Sequence, residues 1–290
     1  MIYLVLTVLI ITSFFIIFKL FARYQVNTLV AVVINYGICV VTGLLLLGFN
    51  RVYQLSIDLD NIWYYATGLG FFFITGFSLM AYSSQRIGMA LSTLSSKLAM
   101  IIPIVISLLL WDRDKVFDIY DYISLVATIV AIYFITVPRK GDVKLSKMHL
   151  LLLLGVFISS GGVDGILTYA NTIYQHPDFS QVFPIYAFFM AAIMGSLFLL
   201  SKPQKERKSI NKATIVGGVG LGVINYFSLV VLLRTLSAFN NEASLIFPYI
   251  NLSVIIASTL IGVFVFSEQL DNRKKIGVII AILAILLLSV

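Results

Sequence analysis

Lys97, Asp164 and Glu242 each interrupt or open a long run of apolar residues, and all three are of types that bind or move charge. Lys97 follows Ser92, Ser95 and Ser96. Those hydroxyls can hydrate its ammonium or line a polar cavity in which it attracts an anionic group such as a carboxylate. Asp164 sits in Ser159-Ser160-Gly161-Gly162-Val163-Asp164-Gly165. On a helix, Gly161, Asp164, Thr168 and Asn171 follow a 3-4-3 spacing and share one face, a polar stripe. A carboxyl there either takes up and releases a proton, coupling proton movement to transport, or contacts cargo, or stands as a static partner of Lys97. The glycines let a neighbouring helix or a ligand approach the backbone closely. Glu242 lies beside Asn240 and Asn241, either of which would cap a helix starting there. Ser244, Pro248 and Asn251 fall on one face, with Pro248 freeing a backbone carbonyl, and Asn225 with Ser228 makes a similar face. Tyr36, Tyr169, Tyr186, Tyr226 and Tyr249 are candidates to line a cavity or fill a core.

The elements that position these groups follow from composition. The chain has 290 residues, 60% hydrophobic and 11% charged, with a mean hydropathy of +1.02. A soluble domain carries about 25% charge, so bilayer rather than water is the solvent. Cys39 is the single cysteine, which rules out a disulfide framework and a thiolate metal cluster. The net charge is +7, but the basic residues are scattered in short breaks, which argues against a nucleic-acid partner. Ten apolar runs emerge, approximately Ile2 to Phe18, Leu29 to Phe49, Ile62 to Ser83, Met89 to Trp111, Ile119 to Val137, Met148 to Ala170, Phe179 to Leu200, Ala213 to Leu233, Ala243 to Phe266 and Ile276 to Val290. Each suits a spanning helix of about 20 residues. The last is shorter and needs Arg273, Lys274 and Lys275 to snorkel or the bilayer to thin. The first has no basic leader and no cleavage site, and is expected to be a retained helix. Phe71-Phe72-Phe73 and Leu150 to Leu154 do not alternate as barrel strands would. Val52 to Asn61, Arg139 to Lys147 and Lys202 to Lys212 are read as connections, too short to hold a soluble catalytic domain.

Charge sets orientation. Loops after odd-numbered spans hold Lys19, Arg23, Arg86, Arg139, Lys140, Lys144, Lys147, Lys202, Lys205, Arg207, Lys208, Lys212, Arg273, Lys274 and Lys275, against Arg51, Arg113, Lys115 and Arg234 after even ones. By the positive-inside rule the odd loops are cytoplasmic and both termini outside. Trp63, Trp111, Asp58, Asp60, Asp112, Asp114, Asp118 and Asp121 gather at the opposite face.

The two halves, 1–141 and 142–290, match modestly. Phe77-Ser78-Leu79 recurs as Phe227-Ser228-Leu229, and Gly43-Leu44-Leu45-Leu46-Leu47 resembles Gly195-Ser196-Leu197-Phe198-Leu199. Pro103 and Pro248 each fall in the fourth span of a half, and Lys97 and Glu242 each lie six residues before them. An odd number of spans per half inverts the second copy. With Glu268 closing the ninth span and Gly277 inside the tenth, this arrangement resembles the EamA-type family of the drug/metabolite transporter superfamily. The resemblance implies an all-α fold of ten transmembrane helices in two inverted five-helix repeats around a central cavity. It also implies a multi-pass protein of the cytoplasmic membrane that moves small metabolites by alternating access, commonly outward. Two departures stand. Asp112 and Asp114 occupy the place of the helix-ending Glu in the first half, and the fifth span lacks the matching glycine. Family members are also usually drawn with cytoplasmic termini, opposite to the charge count.

Intramembrane catalysis would need convergent acid, base, nucleophile or metal groups. His149 and His176 lie near loops without ligand spacing, no GxSxG or HExxH occurs, and Gly217-Gly218-Val219-Gly220 has no following Lys-Ser/Thr. The expectation is therefore a secondary transporter, not an enzyme, with no cofactor and a small molecule as cargo. A flippase for a lipid or lipid-linked amphiphile is the alternative. Lys97 and Asp164 are the leading site residues, with Glu242, Asn171, Asn225, Asn251 and Pro248 as further cavity candidates.

Overall fold

Every described element is an α-helix, and there are twelve among the described residues: α1 (Ile2–Arg23), α2 (Thr28–Leu47), α3 (Phe49–Asp58), α4 (Ile62–Arg86), α5 (Met89–Leu98), α6 (Ile101–Leu110), α7 (Ile119–Thr136), α8 (Lys147–Ile173), α9 (Phe179–Ser201), α10 (Lys212–Ala238), α11 (Ala243–Phe266) and α12 (Asn272–Leu288). The computed structural model describes residues 1–59, 61–86, 89–110, 119–136, 146–174, 176–201, 211–266 and 272–288. Asp60, Trp111 to Asp118, Arg139, Lys140, Lys144, Lys202, Lys205, Arg207, Lys208 and Glu268 lie outside them. Six described segments are long and apolar enough to cross a bilayer: Thr28–Leu47, Ile62–Met80, Lys147–Ile173, Phe179–Ser201, Lys212–Ala238 and Ala243–Ile261. The stretches Ile2–Phe18, Ser92–Ile106 and Tyr122–Phe134 are apolar but shorter.

The side chains are arranged for lipid. Leu45 (81% exposed) and Phe264 (79%) face outward, while Thr7, Ser92, Thr128, Thr168, Thr214 and Thr235 are fully buried. In water that outer surface would be an aggregation liability; against acyl chains it carries no penalty. The protein is an all-helical membrane protein.

Two expectations need correction. Val52 to Asn61, read as a connection, is largely the short helix α3 and its end. Its polar composition hid an amphipathic face: Val52, Leu55 and Leu59 are buried while Arg51, Tyr53 and Gln54 are exposed. Gly48 precedes it at φ +77°, a left-handed backbone that suits glycine. The fourth apolar run, read as one helix, is two. Pro103 has no N–H to offer the Ala99 carbonyl and its ring crowds that group. The Ile102 N–H bonds Ala99 O instead, at 3.0 Å, and the helix breaks at Ala99-Met100.

The chain forms two compact units, 1–74 with 170–238 and 75–169 with 239–290. Each draws on both halves of the sequence. In the first unit, Asn27 caps α2 by accepting from the Val30 N–H, and its own N–H donates to Thr214 Oγ1 at 3.0 Å. Thr214 is in turn held by Asn211 Oδ1, so α2 and α10 start together. They run parallel, because Gly218 faces Ala31 and Ile34 while Gly222 faces Asn35 and Ile38. A Cβ at Gly222 would stand 2.8 Å from the Asn35 carbonyl oxygen, so the glycine sets how closely the two backbones approach. The same close approach puts α9 antiparallel to α2, with Gly43 against Ile185 and Gly195 against Val33. Near the other end of α10, Thr7 and Thr235 share a 2.8 Å hydrogen bond, which makes α1 antiparallel to it.

In the second unit, Gly161 and Gly165 on α8 seat Ile102 and Ile106 of α6, and Gly155 seats Leu79 of α4. The helix pair α7 and α12 meets through Ala131, Ala281 and Ala284 with Leu252 of α11. The Arg273 guanidinium lies 4.9 Å above the Tyr133 ring, so these two helices are antiparallel.

Candidate functional site

The break made by Pro103 decides where Lys97 sits. Lys97 occupies the last turn of α5, where a cation complements the helix dipole. Its Nζ donates to Asn251 Oδ1 on α11 at 3.1 Å, and Asn251 Nδ2 lies 3.5 Å from Met100 Sδ in the break itself. Asn251 is buried, one turn beyond Pro248. Asp164 on α8 is near enough for its carboxylate and the Lys97 ammonium to act on each other electrostatically. The amine's hydrogen bond nevertheless goes to the amide oxygen. The serines complete the setting. Ser96 and Ser160 share a 2.9 Å hydrogen bond, and Ser95 donates to the Leu153 carbonyl at 2.6 Å. Thr168 donates back to Asp164 O at 2.9 Å. Gly161 and Gly165 are what let α6 approach this face of α8, so their role here is helix contact. Ser78 Oγ, also in this unit, is buried without a hydrogen-bond partner among the described residues.

The second unit thus brings together Lys97, Asp164 and Asn251, with Pro248 close by in sequence. An ammonium with donors to spare, a carboxyl group and an amide can bind a small molecule that carries both charge and hydrogen-bonding groups. Glu242 stands at the start of α11, where its carbonyl accepts from the Leu245 and Ile246 N–H groups. Asn240 and Asn241, expected to cap that helix, instead form the preceding turn at φ +52° and +62°. Small polar side chains tolerate that left-handed backbone best after glycine.

Asn171 and Asn225 belong to the first unit. Asn171 Nδ2 donates to Leu233 O at 3.2 Å and Ser237 Oγ at 3.0 Å. Asn225 Nδ2 donates to Asn35 Oδ1 at 3.2 Å, and Ser228 donates to the Asn225 carbonyl. The bonds of Asn171 and Asn225 tie helices to one another, and that of Ser228 stays within α10. Tyr36 stacks with Phe73 and Phe188, Tyr186 donates to Val52 O at 2.6 Å and Tyr226 to Gln181 O at 3.0 Å, so these three rings build the unit's interior.

The apolar run ends at Leu233, which places Arg234 in a loop by sequence. In the structure α10 continues to Ala238, and Arg234 is a half-buried helical residue whose Nε donates to Ser180 Oγ at 3.5 Å. The sequence held the signal, since Thr235-Leu236-Ser237-Ala238 contains no glycine or proline to stop a helix.

No family model matches the chain. An uncharacterized protein of Haemophilus influenzae is 24% identical over 221 residues, covering 75% of this chain and 72% of that protein. A protein of known crystal structure superposes with a TM-score of 0.75 at 13% identity, covering 99% of this chain and 94% of that one. At that identity the likeness is one of fold.

Proposed function

We propose that this protein is a secondary transporter of a small polar or amphipathic metabolite, working by alternating access in the cytoplasmic membrane. The observation that carries the reading is the Lys97–Asn251 hydrogen bond at a broken helix, with Asp164 within electrostatic reach. Charge inside an apolar bundle costs at least about 2.5 kcal/mol at mid-bilayer, and function is its usual justification. Broken helices at such sites are a recurring device of secondary transporters.

In this reading α1, α2, α4, α5 with α6, and α7 form the first five-span repeat within 1–141, and α8 to α12 the second within 142–290. The antiparallel packing of α2 with α9 and of α7 with α12 supports it, because each pair would be equivalent helices of inverted copies. That arrangement resembles the EamA-type family, in which outward transport is the usual direction. Asp164 would be the proton-coupling group and Lys97 the anchor for an anionic part of the cargo.

Metabolite profiling of medium and cells tests this directly, in hosts expressing the chain, Lys97→Ala, Asp164→Asn or an empty vector. A molecular class redistributed by the parent and by neither variant is the expected result. No redistribution by an inserted, folded parent overturns the reading and favours a flippase, which leaflet-asymmetry assays would then address. Asp164→Asn with an unchanged rate and pH dependence removes the coupling role.

A further inference from the structure

Arg234 is a charged group that the proposed transport site does not use. It lies in the first unit, half-buried between α10 and the first turn of α9, and its one hydrogen bond among the described residues is the long one from Nε to Ser180. Among the described residues neither Nη group has a protein acceptor. The acidic side chain two residues before Ser180, Asp178, is already taken: its carboxylate accepts from Arg51 at 2.8 Å. The other named neighbours are uncharged polar groups. Ser180 is 7% exposed, the Tyr226 hydroxyl interacts electrostatically with Arg234 while donating to Gln181 O, and Asn171 with Ser237 lies one turn along α10.

Depth narrows what could complete this site. With 27 residues α10 is about 40 Å long, about 10 Å more than a hydrocarbon core. Centred on that core, Arg234, four residues from the helix end, has its Cα at about the edge of the hydrocarbon, from which its long side chain reaches the level of the lipid phosphates. A planar guanidinium with its two Nη groups free matches two oxygens of one oxyanion. We propose that Arg234 anchors an oxyanion site for a phosphate group, carried by a lipid headgroup or by a soluble phosphate compound, with Ser180 orienting the guanidinium through Nε. This does not rest on the transport reading, because it predicts binding by the isolated protein whether or not cargo moves.

The test is thermal unfolding of the full chain in neutral-detergent micelles, followed by tryptophan fluorescence. Inorganic phosphate is titrated against sodium chloride of equal ionic strength, and dioctanoyl phosphatidylglycerol against dioctanoylglycerol. Saturable stabilisation by either phosphate probe and not by its control supports the site, and the probe that acts identifies the source. Arg234→Gln is expected to weaken it by about tenfold or more and Arg234→Lys to retain part of it. Absence of a saturable response in the parent overturns the proposal whatever the variants do. So does an undiminished response in Arg234→Gln.

Discussion

Lys97 and Asn251, separated by 154 residues, are joined by a 3.1 Å hydrogen bond that ties the end of α5 to the middle of α11. The geometry follows from Pro103, which ends α5 just beyond the lysine and leaves the ammonium at a helix terminus instead of mid-ladder.

A double-mutant cycle on this pair has a definite expectation. Lys97→Met keeps the length of the side chain and removes the charge, and Asn251→Ala removes the acceptor. Intramembrane hydrogen bonds are usually worth about 0.6 kcal/mol, and a charged donor raises that toward about 2 kcal/mol. A coupling in that range, from reversible unfolding in micelles, is expected. Lys97→Met should stay folded and lose transport, so stability and activity part company at this residue; a cycle with no coupling would show that the bond contributes nothing.

The contact of α8 with α6 makes a second prediction. A Cβ at Gly161 would fall 2.8 Å from Ile102 Cβ, with more of that side chain closer still. Gly161→Val should therefore destabilise by about 1–3 kcal/mol through overpacking. Part of the obstacle lies beyond Ile102 Cβ, at Cγ1 and Cδ1, so Ile102→Ala, which keeps Cβ, should restore part of the loss, measured as unfolding midpoint in the single and double variants. Failure of rescue would mean that α6 does not lie against this glycine.

Gly222 should behave differently. There the added Cβ meets the Asn35 carbonyl oxygen at 2.8 Å as well as Ile38. Truncating Ile38 cannot move a backbone oxygen. Gly222→Ala is thus expected to cost about 1–3 kcal/mol and to resist rescue by Ile38→Ala. Displacing α2 should also weaken the Asn35–Asn225 bond at the same level of the bundle. Full rescue by Ile38→Ala would sink this account of the α2–α10 contact.

How much was legible in the sequence varies residue by residue, for physical reasons. Helix positions were readable because a spanning helix advertises itself by composition, and the runs at Phe179 and Ala243 match the helix starts. Asp164 and Lys97 were visible as charges in apolar surroundings. That Asn251 would be the lysine's acceptor was not, since one asparagine on a helix face looks like another until the neighbouring helix is placed. Arg234 was lost because a hydropathy run stops at the first charge, although a helix does not. Helix α3 was lost for the converse reason: a short amphipathic segment has a polar average and shows itself only by which positions are apolar.

Orientation is where charge and family resemblance disagree, and the single cysteine makes it measurable. Cys39 is fully buried, with Sγ donating to Gly222 O at 3.2 Å. A thiol is a weak donor, so Cys39→Ala should cost about 1 kcal/mol or less and yield a cysteine-free background. Tyr24, between α1 and α2, and Gln54, on the outer face of α3, are both exposed and lie on connections of opposite parity. In intact cells a membrane-impermeant maleimide should label Gln54→Cys and spare Tyr24→Cys, if the basic excess of the odd connections holds them in the cytoplasm. The reverse labelling would put the termini inside, in line with the family, and would move Arg51, Asp178 and the phosphate site proposed at Arg234 to the cytoplasmic leaflet.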